Sequence, residues 1–325
     1  MDSLTQAVLG ATVAAACVPK NQRRKAAVAG ALLGTLPDLD VLIDYGDAVS
    51  NFTYHRGFSH SLFVLIPFGV LLWFIMNRYW SKVRQAPRSW FYAIELVLIT
   101  HVLLDAHTVY GTQLFWPIAT PPSMWSTVFI IDPLYTLPLL MACLLLLIRP
   151  HSKMTHVMVS LSLVVSTAYL GWSWFAKTET EKAVVAALGD QVKGNLLTTP
   201  TPMNTLLWRI LVLQEDHYLE GYYAVHRPEQ EIEFSRRELN IELLDQGTHL
   251  ASVQRLSWFT QGFMKANVIE NQLAISDLRM GFNEVFVFTH AVAERDTTFS
   301  WQPINSKQLP TEFGMDAIKV VWDQL

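Results

Sequence analysis

Four stretches of this sequence are long and apolar enough to cross a lipid bilayer, and they constrain the fold more than any other feature. They cover about residues 61–78, 90–110, 130–148 and 154–176. A membrane helix needs roughly 20 predominantly apolar residues, because the hydrocarbon core is about 30 Å thick. Two shorter Ala- and Gly-rich segments, about 4–19 and 25–43, are either thin spanning helices or a re-entrant pair packed against the others. We therefore expect an α-helical polytopic membrane domain.

The acidic residues are concentrated in the second half of the chain. Residues 1–176 contain 11 Lys and Arg and 8 Asp and Glu, whereas residues 177–325 contain 13 and 20. The second half also contains runs with the alternating pattern of β-strands, such as EIEFSRRELNIELL and NEVFVFTHAV. We therefore expect a membrane domain over 1–176, and then a small α+β or mainly β soluble domain over 177–325, led by a helix around 178–190.

The basic residues predict the orientation of the chain, because Lys and Arg are retained on the cytoplasmic side of short membrane loops. Clusters of them occur at every second turn between the predicted helices, at Lys20, Arg23, Arg24, Lys25, Arg78, Lys82, Arg84, Arg88, Arg149 and Lys153. The loops 44–60 and 110–129 contain a single basic residue, Arg56. We therefore expect a multi-pass protein surrounded by the lipid bilayer, with an extracytoplasmic C-terminal domain.

Three clusters of ionisable residues lie where membrane segments would otherwise be apolar. They carry, in chain order, Asp38 and Asp40 in LPDLD, His55 and His60 in YHRGFSHS, and His101 and Asp105 in THVLLDAHTVYG. Ionisable side chains within a bilayer cost several kcal/mol unless they are paired, and they are usually functional. The last two are four residues apart and so share one face of a helix. Imidazole and carboxylate together suit a divalent metal ion, zinc first and then manganese or iron. We predict that these six residues form a metal site toward the extracytoplasmic face.

Each cluster also has a structural interpretation. The two aspartates of LPDLD could end a helix, the two histidines of YHRGFSHS could be ordinary interfacial residues, and the third cluster could be a hydrogen-bonded pair between helices. Asp132 in IIDPLY is either a further ligand or the N-cap of the helix that follows. Arg56 either binds a substrate phosphate or carboxylate, or pairs with Asp44 or Asp47.

A metal-dependent hydrolase is the function that these residues favour. A zinc-type ion would lower the pKa of bound water and polarise an ester or phosphoester, while a carboxylate among Asp38, Asp40 and Asp105 carries the proton and Arg56 neutralises a phosphate. A site at the bilayer rim favours a lipid or lipid-linked substrate. Two alternatives stay open: a non-hydrolytic metal- or ion-binding membrane protein or transporter, and a membrane anchor whose activity lies in the C-terminal domain. The second half is acidic and has no basic stripe, so no nucleic-acid partner is expected.

Three motifs, GALLGTLPDLD, HRGFSHS and HVLLDAHTVYGTQLFWP, occur in this order and resemble the YdjM-like inner-membrane proteins. That family is classed among metal-dependent hydrolases, and some members are under LexA control. The resemblance covers roughly residues 1–150, and PTPMNTLLWRI is similar to longer members with an extra C-terminal domain. It implies a location in the bacterial inner membrane. It also implies the same metal site, made of Asp38, Asp40, His55, His60, His101 and Asp105.

Overall fold

The computed structural model describes residues 1–192, 195–297 and 300–311, so the end of the predicted C-terminal domain, 312–325, lies outside the described residues. The chain divides into two compact units. Unit 1 contains Met1–Leu42, Arg56–Thr108 and Thr112–Ser173. Unit 2 contains Ile43–His55, Val109–Gly111 and the described residues from Trp174 onward.

The first part of the chain is helical. Its helices are α1 Ser3–Cys17, α2 Arg23–Thr35, α3 Ala48–Tyr54, α4 Leu62–Tyr79, α5 Ser81–Gln85, α6 Pro87–Ala106, α7 Pro133–Ile148 and α8 Lys153–Leu188. Among them α4, α6 and the stretch that begins with α8 are long and apolar enough to cross a membrane, and α1 and α7 are shorter apolar helices. Only 17% of the α4 span is buried within the protein, against 61% of α6, so α6 is the more central helix of unit 1.

Two predicted helix boundaries differ from the structure. The helices predicted over 154–176 and around 178–190 form the single helix α8, because the sequence has no Pro or Gly between residues 172 and 188 to interrupt it. In the other case α2 ends at Thr35, well before residue 43, because Pro37 has no backbone N–H to continue the hydrogen bonds of the α-helix. The LPDLD motif consequently lies in a 3₁₀ helix, Pro37–Leu42.

Glycines allow α1 and α2 to pack with their backbones in close contact. A Cβ atom on Gly30 would lie 2.2 Å from the carbonyl oxygen of Gly10, and one on Gly34 would lie 2.5 Å from the carbonyl oxygen of Gln6. Small residues permit this kind of approach between membrane helices. The contact sets Gln6 of α1 beside Gly34 of α2, and both residues also contact α6 at the site described below.

Unit 2 contains two antiparallel four-stranded sheets. Its strands are β1 Leu196–Pro200, β2 Leu207–Leu213, β3 His217–Ala224, β4 Phe234–Glu238, β5 Met264–Ile269, β6 Gln272–Asp277, β7 Gly281–Phe282, β8 Val285–Phe286, β9 Thr289–Arg295 and β10 Trp301–Gln308. The first sheet has the order β1-β2-β3-β4, the second has the order β10-β9-β6-β5, and β7 pairs with β8. Two helices, α9 Ile241–Gly247 and α10 Ala251–Thr260, lie between the sheets in the sequence. The predicted succession of apolar helices and then a β-containing region is confirmed.

The core of unit 2 includes residues from the first half of the chain. Phe52 of α3 lies 4.9 Å from the ring of Phe259 and 4.6 Å from the ring of Phe288. Arg255 of α10 donates from Nε to Thr53 Oγ1 at 3.0 Å. These contacts make α3 part of the folded C-terminal unit.

Candidate metal centre

Four side chains of unit 1 converge on one point. They are Asp38, His60, His101 and Asp105, and one possible ligand atom from each lies within 4.8 Å of all the others. Asp38 lies in the 3₁₀ helix after α2, His60 ends a 3₁₀ turn just before α4, and the other two lie one turn apart on α6. The side chains of His60 and Asp105 are 0% exposed and that of His101 is 1% exposed, whereas that of Asp38 is 18% exposed.

Five of the six distances between these atoms are close to those around a tetrahedral ion. His60 Nε2 lies 3.1 Å from Asp105 Oδ2, 3.3 Å from Asp38 Oδ1 and 3.2 Å from His101 Nε2. His101 Nε2 lies 3.5 Å from Asp105 Oδ2 and 3.6 Å from Asp38 Oδ1. Four ligands about 2.0 Å from a tetrahedral ion lie about 3.3 Å from one another. The donor set of two imidazole nitrogens and two carboxylate oxygens suits zinc.

Each imidazole makes a hydrogen bond through Nδ1, and this orients its Nε2 atom toward the other ligand atoms. His101 Nδ1 lies 2.7 Å from the carbonyl oxygen of Gly34, which can only accept, so Nδ1 carries the proton. Ser59 Oγ donates to Asp40 Oδ2, so it can accept from His60 Nδ1 at 2.9 Å. In the neutral rings both Nε2 lone pairs then face the two carboxylates. Metal-binding histidines are generally oriented by such bonds.

One buried oxygen of Asp105 has ion-pair contacts but no hydrogen bond. Its Oδ1 accepts from Gln6 Nε2 at 2.9 Å and from the amino-terminal ammonium group of Met1. Its Oδ2, which faces the two histidines, accepts no hydrogen bond among the described residues. Arg56 Nε lies 3.3 Å from Oδ2 and Arg56 Nη1 donates to Thr108 Oγ1 at 3.0 Å. A buried carboxylate oxygen without a hydrogen bond is costly, and a bound cation would balance it.

Asp38 is the acidic group of the site that solvent reaches. Its burial would raise its pKa, but when His101 and His60 carry a proton on Nε2 and no ion is bound, their hydrogen bonds outweigh burial and hold the pKa of Asp38 below its usual value. The carboxyl group is therefore ionised near neutral pH and available as a ligand.

Asp40 lies on the Nδ1 side of His60 and accepts a hydrogen bond from the turn that precedes His60. Its Oδ2 accepts from the backbone nitrogen of Arg56 at 2.9 Å, and it lies 3.7 Å from His60 Nδ1. Arg56 has a φ of 58°, in the left-handed region that non-glycine residues seldom adopt. The carboxylate stabilises this strained backbone, so Asp40 positions the site rather than joining the group of four.

The structure does not bring every predicted residue to the group of four. His55 follows α3 in unit 2, where its ring lies 5.4 Å from the ring of Tyr110. Asp132 is the N-cap of α7 and accepts from the backbone nitrogens of Leu134 and Tyr135. The guanidinium of Arg56 contacts Asp105, so it is placed to hold that carboxylate.

Sequence reasoning missed three residues that support the site. Gln6, Gly34 and Ser59 each bond to a member of the group or to its neighbour Asp40. The contact of Gln6 with another helix could have been predicted from the sequence, because a polar amide in an otherwise apolar membrane helix usually makes a hydrogen bond to another helix. Gly34 acts through its backbone carbonyl, and the residue type does not reveal such a contact.

Comparison with known proteins places the chain among inner-membrane proteins. The family model described as YdjM inner membrane protein matches residues 1–180. The chain is similar to "Inner membrane protein YbcI" of Escherichia coli (strain K12), with 38% identity over 89 residues that cover 27% of this chain and 50% of that protein. The chain thus spans about half the length of this curated relative. No solved structure matches the chain.

Proposed function

Because this chain belongs to the YdjM inner membrane protein family and gathers two imidazoles and two carboxylates in its helical unit, we propose that it is a membrane-embedded, metal-dependent hydrolase of esters or phosphoesters. The observation that carries the proposal is the spacing of the four ligand atoms, since five of the six distances between them are close to those of a tetrahedral zinc site. The metal identity and the hydrolytic reaction are both part of the proposal.

Each residue of the centre has a distinct role in this proposal. Asp38, His60, His101 and Asp105 would hold the ion, which when bound supplies a Lewis acid and a water of lowered pKa. Asp38 would hold the ion from the side that solvent reaches, because its side chain is the most exposed of the four.

The residues around the ligands orient them. Ser59 and the Gly34 carbonyl hold the two imidazoles. Asp40 fixes the turn before α4, and Arg56 balances the charge of Asp105. Asp40 and Arg56 are therefore positioning residues in this proposal.

The substrate class follows from the position of the site along the helices. His60 lies two residues before α4 begins, and Asp105 lies in the last turn of α6. Both helices are apolar enough to cross a membrane, so the site lies where they reach the bilayer rim. A phospholipid or another lipid-linked ester can present its polar group at this depth.

The basic residues support an extracytoplasmic C-terminal unit, since they cluster in the alternate loops. A single cysteine at the exposed Glu229 position, in a chain with Cys17 and Cys143 replaced by alanine, tests this orientation. A membrane-impermeant maleimide should label it in intact spheroplasts. Labelling only after lysis would contradict the proposed orientation.

A hydrolysis assay with two histidine variants tests the proposed reaction. Purified protein is incubated with vesicles of phosphatidylethanolamine and phosphatidylglycerol, and with soluble nitrophenyl esters and phosphates. We expect His60→Ala to lower turnover at least about a hundredfold, because it removes a ligand with two carboxylate neighbours. His55→Ala is the matched control, since His55 lies in the same motif but outside the group. Absence of turnover on all substrates, or equal turnover in the two variants, would contradict the proposal.

One observation favours a second candidate, a non-hydrolytic metal-binding protein or transporter. Catalytic zinc ions usually keep one position open, whereas four protein ligands close the site. Here four side chains are available, and three of them are at most 1% exposed. Tight metal binding without turnover, together with metal flux in proteoliposomes, would favour this candidate over hydrolysis.

A further inference from the structure

A polar pocket lies on the first sheet of unit 2, and the proposed metal chemistry does not use it. Its volume is about 430 Å³, within the range typical of small-ligand sites. Glu220 and Tyr222 of β3 line it on one face of the sheet, and Ser235 of β4 is paired with Glu220 in register. The loop between β3 and β4 adds Arg227 and Glu233.

Glu220, which lines the pocket, belongs to a buried ion pair that is only partly satisfied. Arg209 Nε donates to Glu220 Oε1 at 2.7 Å, and the two side chains are 0% and 2% exposed. Glu220 Oε2 has no hydrogen-bond partner in the described part of the chain, and it lies 3.9 Å from Arg237 Nε. Arg209 Nη2 likewise lacks a partner within that part. Buried polar atoms are nearly always paired in folded proteins, so these atoms point to a ligand or to ordered water.

One tyrosine of the lining, Tyr222, has its hydroxyl group near this ion pair. Tyr222 lies two residues after Glu220 in β3, so the two side chains project to the same side of the sheet. Its hydroxyl oxygen makes no hydrogen bond of good geometry among the residues that the structure describes, although the guanidinium of Arg209 lies beside it. Burial raises the pKa of Tyr222, so its hydroxyl stays protonated and can both donate and accept.

The charges at the pocket disfavour an anionic ligand. Glu220 is paired with Arg209, which lies behind the lining, and among the other charged residues of the described lining Glu231 and Glu233 outnumber Arg227. The unpaired groups require a ligand whose own groups both donate and accept hydrogen bonds, and hydroxyl groups do both. We propose that this pocket binds a small polyhydroxylated ligand of the carbohydrate class, neutral or bearing an amine. This site is independent of the metal centre.

Three monosaccharides with the same ring and different charge test the proposal: glucose, glucosamine and glucuronate. The full chain is placed in lipid nanodiscs, because maltoside detergents carry sugar, and binding is measured by saturation-transfer NMR at millimolar concentrations. We expect transfer to glucose and glucosamine, and binding of glucuronate weaker by about tenfold, as expected for a carboxylate facing a carboxylate. Transfer to none of the three, or glucuronate binding as well as glucose, would overturn the proposal.

Substitutions then test whether the ligand occupies this pocket. Tyr222→Phe removes a hydroxyl that makes no hydrogen bond of good geometry in the described chain, so folding should be unaffected while sugar affinity falls by about fivefold to tenfold. Glu238→Gln is the control, since it removes a charge from the exposed end of the same sheet outside the lining. Sugar binding that is equal in wild type and in Tyr222→Phe would place the ligand elsewhere and overturn the proposal.

Discussion

The hydroxyl of Ser59 offers a sharp test of the metal centre, because it touches the site without being a ligand. It donates to Asp40 Oδ2 and lies 2.9 Å from His60 Nδ1, so it links the carboxylate to the imidazole. Ser59→Ala removes both contacts and adds no bulk. The side chain of His60 is fully buried, so water cannot readily replace the lost partner.

The expected effect follows from these two contacts. A hydrogen bond to a charged group contributes roughly 1.5 to 3 kcal/mol. Part of this is recovered, because His60 Nδ1 lies only 3.7 Å from Asp40 Oδ2 and can tilt toward it. We therefore expect a net loss of about 1.4 kcal/mol in metal binding, which corresponds to about tenfold in affinity and falls in the range for residues that orient metal ligands.

A zinc competition titration against a fluorescent chelator measures this effect on protein in nanodiscs. Ser81→Ala is the matched control, since Ser81 is exposed and follows the opposite end of α4. The control should bind zinc like the wild type. An unchanged zinc affinity in Ser59→Ala would refute the idea that the Asp40–Ser59–His60 chain orients a metal ligand.

Three further predictions concern packing and pH. Gly30→Ala should lower thermal stability by about 1 to 3 kcal/mol, because its Cβ would lie 2.2 Å from a backbone oxygen of α1; an unchanged melting temperature would contradict this packing. Phe52→Ala should destabilise unit 2 by about 3 to 5 kcal/mol, measured by loss of β-type circular dichroism on heating, and a change below about 1 kcal/mol would exclude Phe52 from its core. Burial lowers the pKa of His290 to about 4, so on acidification the unfolded chain binds a proton at this residue before the folded chain does. The free energy of unfolding should therefore fall by up to about 3 kcal/mol as the pH drops from about 6.5 to 4. If a His290→Leu variant showed the same pH dependence, His290 would not be its cause.

The sequence allowed the convergence at the metal centre to be predicted in part. His101 and Asp105 are one helical turn apart, and this spacing alone places both on one face of α6. The other two clusters were predicted to lie on the same side of the membrane by counting membrane crossings. By this count, α4 begins on the side of the membrane where α6 ends. The distances of 3.1 to 3.6 Å between ligand atoms could not be derived in this way, since they depend on how the helices pack.

The roles within YHRGFSHS could not be separated from the sequence. His55 and His60 are both imidazoles beside a membrane helix, so residue type gave them equal weight. The structure distinguishes them because α3, which precedes His55, folds with unit 2 through Phe52 and Thr53. A contact between residues 53 and 255 leaves no local pattern in either segment. The sequence-based boundary at residue 177 therefore did not include α3 in the C-terminal unit.

Direct metal analysis tests the central claim, that side chains from separate segments of unit 1 hold one cation. Protein purified without added metal is compared with an Asp38→Ala, His60→Ala double variant and with His55→Ala by inductively coupled plasma mass spectrometry. We expect close to one zinc ion per chain in the wild type and in His55→Ala, and almost none in the double variant, because four ligands define a single tetrahedral site. Equal metal content in all three proteins would contradict the claim.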